Sequence, residues 1–400
     1  MSGGAPDGWA RPARLGDVAE INPRLKSDLS ADDEVSFVPL AALDIETACT
    51  PTVETRLVGE VSTGYTPMRD GDILLAKITP SFENGKIGQA TLGHRYGFGS
   101  TEFHVVRPRE CLEDRYLLHF LRRSSFRLKG VARMTGSAGQ KRVPVNYLAE
   151  TRIPLPPLPE QRRIAAILDH ADALRAKRRQ VLAHLDSLTQ SIFHDMFGDP
   201  VLNPRGLPIS ELDDLIENGR PITYGILKPG PDTPGGVPYV RVADMQGGGI
   251  AASRVRRTTK AISGTYRRSL LREGDLLMSI RGHVGRFAHI PPELHGANIT
   301  QDSARLSIPC AATSVYVRAA MSTTGLQHWM ARHTKGVAVR GLNIGDLRRV
   351  PIPVPPDNEQ FEFATLVRCV DTQRASMQAA LAADDELFAS LQSRAFRGEL

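Results

Sequence analysis

The side chains best suited to chemistry in this 400-residue chain are cations and amides set in polar, glycine-bearing loops. In the first half they are Lys77, Thr79 and Lys86 around TPSFENGKIG, and Arg133, Gln140, Lys141 and Arg142 around TGSAGQKRVP. In the second half they are Lys228, Arg241, Arg281 and Arg286 (RGHVGR), and Lys335, Arg340 and Asn343 (TKGVAVRGLNI). Lysine and arginine neutralise phosphates, arginine pairs bidentately with guanine, and the amides of Gln140 and Asn343 match the edge of adenine. Tyr65 (TGYTP) and Tyr224 (ITYGI) sit beside glycines, where a ring can pack on a sugar or groove edge. The chemistry expected of this set is recognition of a polyanion, not bond breaking.

Catalytic arrangements are harder to find. There is no Walker sequence, and Gly247-Gly248-Gly249 is not followed by a helix start, so no nucleotide-binding turn is expected. Glu83 and Lys86 resemble half of a nuclease carboxylate–lysine set, but no paired aspartate lies upstream at a suitable spacing. Pro355-Pro356-Asp357-Asn358 carries the letters of an amino-methyltransferase motif in the wrong order. The eleven histidines are dispersed, with His283 and His289 flanking an arginine loop, and the four cysteines form no CxxC pair. No catalytic residue, metal ligand or cofactor site is therefore expected in this chain, and the cysteine usage fits a reducing cytoplasm.

Charge distribution supports the polyanion reading. The net charge is +6 with a pI near 9.2. Between Asp114 and Glu150 there is no acid but there are eight cations, Arg115, Arg122, Arg123, Arg127, Lys129, Arg133, Lys141 and Arg142. Between Asp244 and Glu273 there is again none, with Arg254, Arg256, Arg257, Lys260, Arg267, Arg268 and Arg272. Long basic, acid-free segments in both halves are the electrostatic footprint of a nucleic-acid binder. No run approaches eighteen apolar residues and the N-terminus has no apolar signal core, so neither a membrane span nor a leader is expected.

Positioning these loops requires a scaffold, and the scaffold is duplicated. Ile153 to Gln161 reads IPLPPLPEQ and Ile352 to Gln360 reads IPVPPDNEQ, 199 residues later. Proline excludes helix interior there. After the first hinge, apolar positions recur at Ile167, Ala171, Leu174, Val181, Leu185, Leu188 and Ile192, with Arg178 filling the gap, until Gly198 and Pro200 stop the helix. The same phase after the second hinge gives Leu366, Val370, Gln373, Met377, Ala380, Asp384, Leu387 and Leu391. This 4-3 spacing predicts a coiled-coil seam, and a single-striped helix of roughly 55–60 Å needs a partner. The two helices are expected to pack antiparallel, bringing Arg178 near Asp384. Ile164, Leu168, Leu182, Phe193 and Phe197 fall off that seam and are expected to dock a partner chain more than to fill a core.

The globular blocks repeat as well. Val38 to Asp44 is answered by Val237 to Asp244, RDGDILLAKI (Arg69 to Ile78) by REGDLLMSI (Arg272 to Ile280), and a helix over 114–129 by one over 315–333. The expected architecture is α+β. Two pseudo-repeated mixed α/β domains, 1–152 and 201–350, are separated by hinge-and-helix segments at 153–200 and 351–400.

Taken together, IPLPPLPEQRRIAAIL, MFGDPVLNPRG, AFRGEL, AKITPSFENGKIG with GSTEF, and TGSAGQKRVP resemble the specificity subunits of type I restriction–modification systems. The resemblance covers nearly the whole chain, departing at PPDNEQ in the second hinge. It implies two target-recognition domains, each reading one half of a bipartite double-stranded DNA sequence, with the helices as a ruler between half-sites. It further implies two modification subunits docked on the helices and recognition domains, and restriction subunits joined through them. S-adenosylmethionine, ATP and magnesium would then belong to the partners, and the complex to the cytoplasm. Two other classes stay open from sequence: a methyltransferase or nuclease with an unrecognised site, and a protein-only coiled-coil scaffold. Turnover by the isolated chain would mark the first, and absence of salt-dependent DNA binding the second.

Overall fold

The computed structural model describes residues 11–25, 29–136, 139–246, 248–335 and 341–400, with Gln246 described by its backbone alone. The chain divides into two compact units, Met1–Val181 with Met377–Leu400, and Leu182–Ser376. This division cuts across the expected segments, because each long helix, Leu158–Phe197 and Asp357–Ala395, is shared out between the units. Among the described residues no helix is long and apolar enough to cross a membrane.

The first unit is built on two four-stranded sheets. One runs Ala19–Ile21, Phe103–Pro108, Ile73–Ala76, Ile87–Gln89, all antiparallel. The other runs Glu54–Leu57, Glu34–Val38, Tyr96–Gly99, Thr66–Arg69, with one parallel pair between Glu34–Val38 and Tyr96–Gly99. Ile73, Leu74, Leu75 and Ala76 are all buried, so this central strand is apolar on both faces rather than alternating. Helices Asp114–Leu121 and Ser124–Val131 cover the first sheet. The single helix expected over 114–129 is broken because Arg123 adopts extended backbone geometry and starts a new helix.

The second unit repeats this plan. Thr223–Tyr224, Ser303–Leu306, Leu276–Ser279 and Phe287–His289 form an antiparallel sheet, and Arg256–Thr258, Val237–Val240 and Asn298–Ile299 a mixed one. Its covering helix is likewise broken, into Ala311–Met321 and Thr324–His333, where the Thr323 hydroxyl accepts from the backbone of Leu326 as an N-cap. The RDGD and REGD turns owe their repetition to one device. Gly71 and Gly274 take the left-handed backbone that the turn needs, at φ of 86° and 80°. The following aspartate is buried in both units. Asp72 accepts two bonds from Arg107, at 2.8 and 2.7 Å, and Asp275 two from Arg220, at 3.0 and 2.9 Å.

The hinges also have a physical reason to recur. Each hinge strand closes its own unit: Arg152–Pro154 pairs with Pro12–Arg14, and Pro351–Pro353 with Ile209–Glu211. Prolines leave carbonyls without ladder partners. Tyr116 donates to the Pro154 carbonyl at 2.9 Å and Tyr316 to that of Pro353 at 2.5 Å. The glutamine of each EQ pair folds back in the same way. Gln161 donates to the carbonyls of Pro156 (2.8 Å) and Cys111 (3.0 Å), and Gln360 to that of Pro355 (2.8 Å). Both amides are buried. Gln161→Leu should therefore destabilise the first unit by about 1–3 kcal/mol, the cost of orphaned buried acceptors, measured as a lower urea midpoint at unchanged m-value.

The helices run antiparallel within each unit and bring Arg178 to Asp384 as the seam spacing predicts, but their largest apolar side chains are buried on other faces. In the first unit Ile164, Ala165 and Leu168 enter the main core beside Tyr116, Leu117 and Phe396. In the second, Phe193 and Phe197 enter the core with Tyr316, Phe363 and Val367. The residues expected to dock a partner are thus core, apart from half-buried Leu182. Of the expected seam, Val370 is buried and Ile167, Ala171, Arg178, Leu185, Ile192, Met377, Ala380, Asp384 and Leu391 are half-buried, whereas Leu174 (40%), Val181, Leu188, Leu366 and Leu387 (53%) are exposed. Gln373 faces out, and its neighbour Arg374 turns in to meet Asp186 at 3.0 Å and the Leu185 carbonyl at 3.2 Å. At the C-terminal end of the first helix, burying the Phe193 and Phe197 rings removes more apolar surface from water than burying the leucine stripe there would.

Polar contacts join the helices where no core reaches them. In the first unit Arg178 pairs with Asp384, and Arg175 with Asp385 at 2.6 Å while lying 4.4 Å over the Phe388 ring. Asp169 fastens the same helix to Asp114–Leu121, accepting from the Arg115 guanidinium at 2.6 Å and bonded to the buried His119 ring at 2.7 Å. Burial alone would raise its pKa, but the bonds to His119 and Arg115 outweigh it and hold the carboxyl down at about 2. A carboxyl depressed on folding stabilises the native state above its unfolded pKa of about 4 and loses that contribution as pH falls towards its folded value. Asp169→Asn should accordingly flatten the acid limb of stability below about pH 4, read from urea midpoints across pH, and lower stability at pH 7.

Candidate nucleic-acid interface

The loop before each hinge is tied to the end of the central strand of its unit, and this places the sequence-expected cations together. In the first unit Ile78 bridges Arg142 in antiparallel register, and Arg142 in turn bridges Thr135. The Thr79 backbone donates to the Lys141 carbonyl at 2.9 Å, and Val143 to that of Lys77 at 2.9 Å. Lys77, Thr79, Lys141 and Arg142 therefore share one edge, with Gln140 exposed beside them. Lys86 lies in the turn that follows, its ammonium 3.5 Å from the Ala41 carbonyl, and its charge helps lower the Asp44 carboxyl behind the hydrogen bonds from Thr47.

The second unit builds the same edge with other residues. Arg281 and Lys335 both bridge Gly341, and Leu342 donates to the Ile280 carbonyl at 2.9 Å. Arg281 reaches Gln301 at 2.9 Å. Arg286 ends the turn that begins at Ser279, its backbone donating to the Ser279 hydroxyl at 2.9 Å. Tyr224 and Lys228 are exposed near helix Lys260–Thr265, in shallow hollows lined by Thr265 and Tyr266. Arg340 lies outside the described residues.

Several expected contacts are engaged within the chain. Asn343 is an N-cap: its side-chain oxygen accepts from the Asp346 backbone at 2.8 Å and its amide donates to the Asp346 carboxylate. It is not a free adenine reader. Arg241 is held by Asp244 at 2.6 Å, which removes it as a free phosphate ligand. Arg142 pairs with Glu102 at 2.6 Å, and that hydrogen bond, ahead of the opposing effect of burial, lowers the glutamate pKa. The Arg142 fork is thereby oriented along the loop edge rather than left mobile. Tyr65 packs edge-on against Phe37, 4.9 Å between centroids, in the other sheet. Arg133 faces a separate hollow with Arg123, Lys129 and Tyr147. Glu102 and Gln301, the partners that orient Arg142 and Arg281, were not expected. Both stand just before the returning strand in the loop sequences GSTEF and ITQDSA, which is the positional signal they share.

The two histidines that flank the arginine loop have structural roles. His289 is bonded to the Ser314 hydroxyl at 3.0 Å and Arg318 at 3.3 Å. Burial, then the Arg318 charge, pushes its pKa down to about 4, so it is neutral near pH 7. The His283 carbonyl accepts from Ser279, closing the arginine loop. Among the described residues no three histidine, cysteine, aspartate or glutamate side chains gather where a metal could be held.

The family described as "Type I restriction modification DNA specificity domain" matches residues 6–184 and again 209–381. The Escherichia coli type I restriction enzyme EcoBI specificity subunit is 28% identical over 325 residues, covering 73% of this chain and 67% of that protein. The EcoAI specificity subunit, also from Escherichia coli, is 42% identical over 162 residues, covering 40% of this chain and 27% of its own length. The chain thus spans about two thirds of the first relative and about a quarter of the second. Two solved structures share the fold. A chain from work on complex assembly and conformational transition of the type I R-M system superposes with a TM-score of 0.60 at 21% identity, over the full length of both. The type I restriction-modification S subunit from M. genitalium gives 0.55 at 12% identity, covering 99% of this chain and 98% of that one.

Proposed function

The chain belongs to the family of type I restriction–modification DNA specificity domains, and from that premise we propose that it selects the DNA target of a type I complex and performs no catalysis itself. Each unit reads one half of a bipartite duplex sequence through the edge where its pre-hinge loop meets the central strand. The observation that carries this reading is the repetition of that edge with different side chains: Lys77, Thr79, Lys141 and Arg142 in one unit, Arg281 and Lys335 in the other. A common scaffold with divergent polar edges is what two half-sites of different sequence require.

Partner docking follows from the helix faces left exposed. In the first unit Ile167, Ala171 and Leu174 on one helix, with Leu387 and Leu391 on the other, line an open apolar trough of about 490 Å³. A helix of a modification subunit is the fitting occupant, since an apolar 4-3 stripe that its own pair leaves partly open offers knobs and holes to another helix. Methyl transfer with S-adenosylmethionine, and ATP- and magnesium-dependent cleavage, would reside on modification and restriction subunits assembled around this chain.

The test is duplex binding against ionic strength. The full chain, with its partners, should bind its methylated target with a log–log salt slope set by the phosphates neutralised, and Lys77→Ala/Lys141→Ala should make the slope shallower by about two units. Exchanging residues 1–152 for those of another family member should change one half-site of the methylated sequence. Change in both half-sites would remove the assignment of one unit to one half-site.

A further inference from the structure

The second unit contains a basic pocket that the recognition edge does not use. It has a volume of about 710 Å³ and is lined by Arg220, Arg267, Arg268, Arg272 and Arg305, with His295 and Gly296 at its rim. At its base lies Arg305, only 3% exposed, on strand Ser303–Leu306. Its guanidinium donates to three backbone carbonyls, those of Arg268, Leu270 (3.3 Å) and Pro221 (3.0 Å). Its Nε finds no acceptor. These bonds satisfy donors but bring no negative charge.

The nearby carboxylates are committed elsewhere. Asp275 accepts both bonds of the Arg220 fork and a third from the Ser307 hydroxyl at 2.7 Å. Glu217 meets Arg272 at 3.2 Å and lies 3.7 Å from Arg220. Among the described residues Arg267 and Arg268 have no carboxylate partner, and both are exposed at the mouth. Burial, then the charge of Arg220, pushes the Arg305 pKa down to about 10 against the opposing pull of Asp275 and Glu217, so the cation is held against its preference for water. A buried charge with no carboxylate in direct contact is costly unless something supplies a counter-charge.

The first unit lacks this arrangement. In the strand pairings Ile73↔Val106 and Leu276↔Leu306, the position of Arg305 corresponds to Val105. Asp72 there is satisfied by one arginine, Arg107, and among the described residues no second buried cation accompanies it. The extra arginine is therefore not demanded by the shared scaffold, which folds in the first unit with valine.

We propose that this pocket is a binding site for a phosphate group, seated between Arg267 and Arg268 at the mouth and the Arg305 guanidinium at the base. Arginine forks match the geometry and charge of phosphate oxygens, and the anion supplies the direct counter-charge that Asp275 and Glu217, committed to other arginines, give Arg305 only at a distance. The phosphate is carried either by a nucleic-acid backbone or by a free nucleotide or pyrophosphate. The site does not depend on the reading of the chain as a DNA-selecting subunit.

The experiment uses the full chain and the Arg267→Ala/Arg268→Ala variant, because Arg305 also fastens three carbonyls and its replacement would confound folding with binding. Pyrophosphate added at constant ionic strength should raise the melting temperature of the wild-type chain by several degrees, and that of the variant by less than half as much. No shift in the wild type, or an equal shift in the variant, overturns the proposal. With the wild-type shift in hand, duplex binding assigns the source. A salt slope shallower by about one to two units in the variant identifies a backbone phosphate, and an unchanged slope a free phosphate ligand. A wild-type chain that, assembled with its partners, fails to bind any duplex would sink the DNA-selecting function and leave the pyrophosphate result standing.

Discussion

Phe193→Ala is expected to lower the stability of the second unit by about 3–5 kcal/mol, the usual cost of emptying a buried phenylalanine site. The ring is fully buried. It lies 5.2 Å from Phe197, 5.4 Å from Tyr316 and 5.7 Å from Phe363. These four rings join the two long helices to helix Ala311–Met321, and Tyr316 in turn holds the hinge carbonyl of Pro353. Aromatic pairs at these separations add to the area they bury, so one truncation loosens all three remaining rings. Hydrogen exchange on the full chain should show protection falling in strands Leu276–Ser279 and Ser303–Leu306 while Ile73–Ala76 in the first unit keeps its protection. A loss below about 1 kcal/mol would mean that the quartet repacks around the gap, and equal loss in both units would mean that they unfold together.

That quartet also explains where sequence reasoning stopped. The duplication was legible because prolines and glycines carry backbone information directly. IPLPPLPEQ and IPVPPDNEQ mark the hinges, and RDGD and REGD mark the turn that positions Asp72 and Asp275. The pre-hinge loops were legible as places for the same reason. The helix faces were not. Both helices carry two apolar stripes, and 4-3 spacing alone ranks Leu174 and Leu188 above Phe193 and Phe197 although the rings bury more surface. The fate of individual polar residues divides by range. Asp244 three residues after Arg241 and Asp346 three after Asn343 are local signals that a cap or turn will claim those side chains. Arg142 meeting Glu102 and Arg305 meeting three carbonyls depend on strand neighbours far apart in sequence, which no local spacing reveals.

The exposed helix faces lead to the second large effect. Leu174→Asp combined with Leu387→Asp should leave the fold and duplex binding intact and weaken capture of a modification subunit by at least about 100-fold, the loss expected when carboxylates replace central apolar contacts. Both leucines are about half exposed, so the isolated chain loses little burial and its unfolding free energy should stay within about 0.5 kcal/mol of wild type. The trough they line with Ile167, Ala171 and Leu391 would be charged and hydrated. The Arg178–Asp384 pair at its edge is untouched, and keeps the helices in register in the free chain. Co-purification and calorimetry of the two chains read the affinity, with the melting curve of the variant as the control on folding. Unchanged affinity would place the partner elsewhere on the chain and leave the exposed stripe without an occupant. Lost affinity with an unchanged melting curve would show that the leucine stripe, which the coiled-coil pattern assigns to the helix pair itself, is kept apolar for a helix from outside.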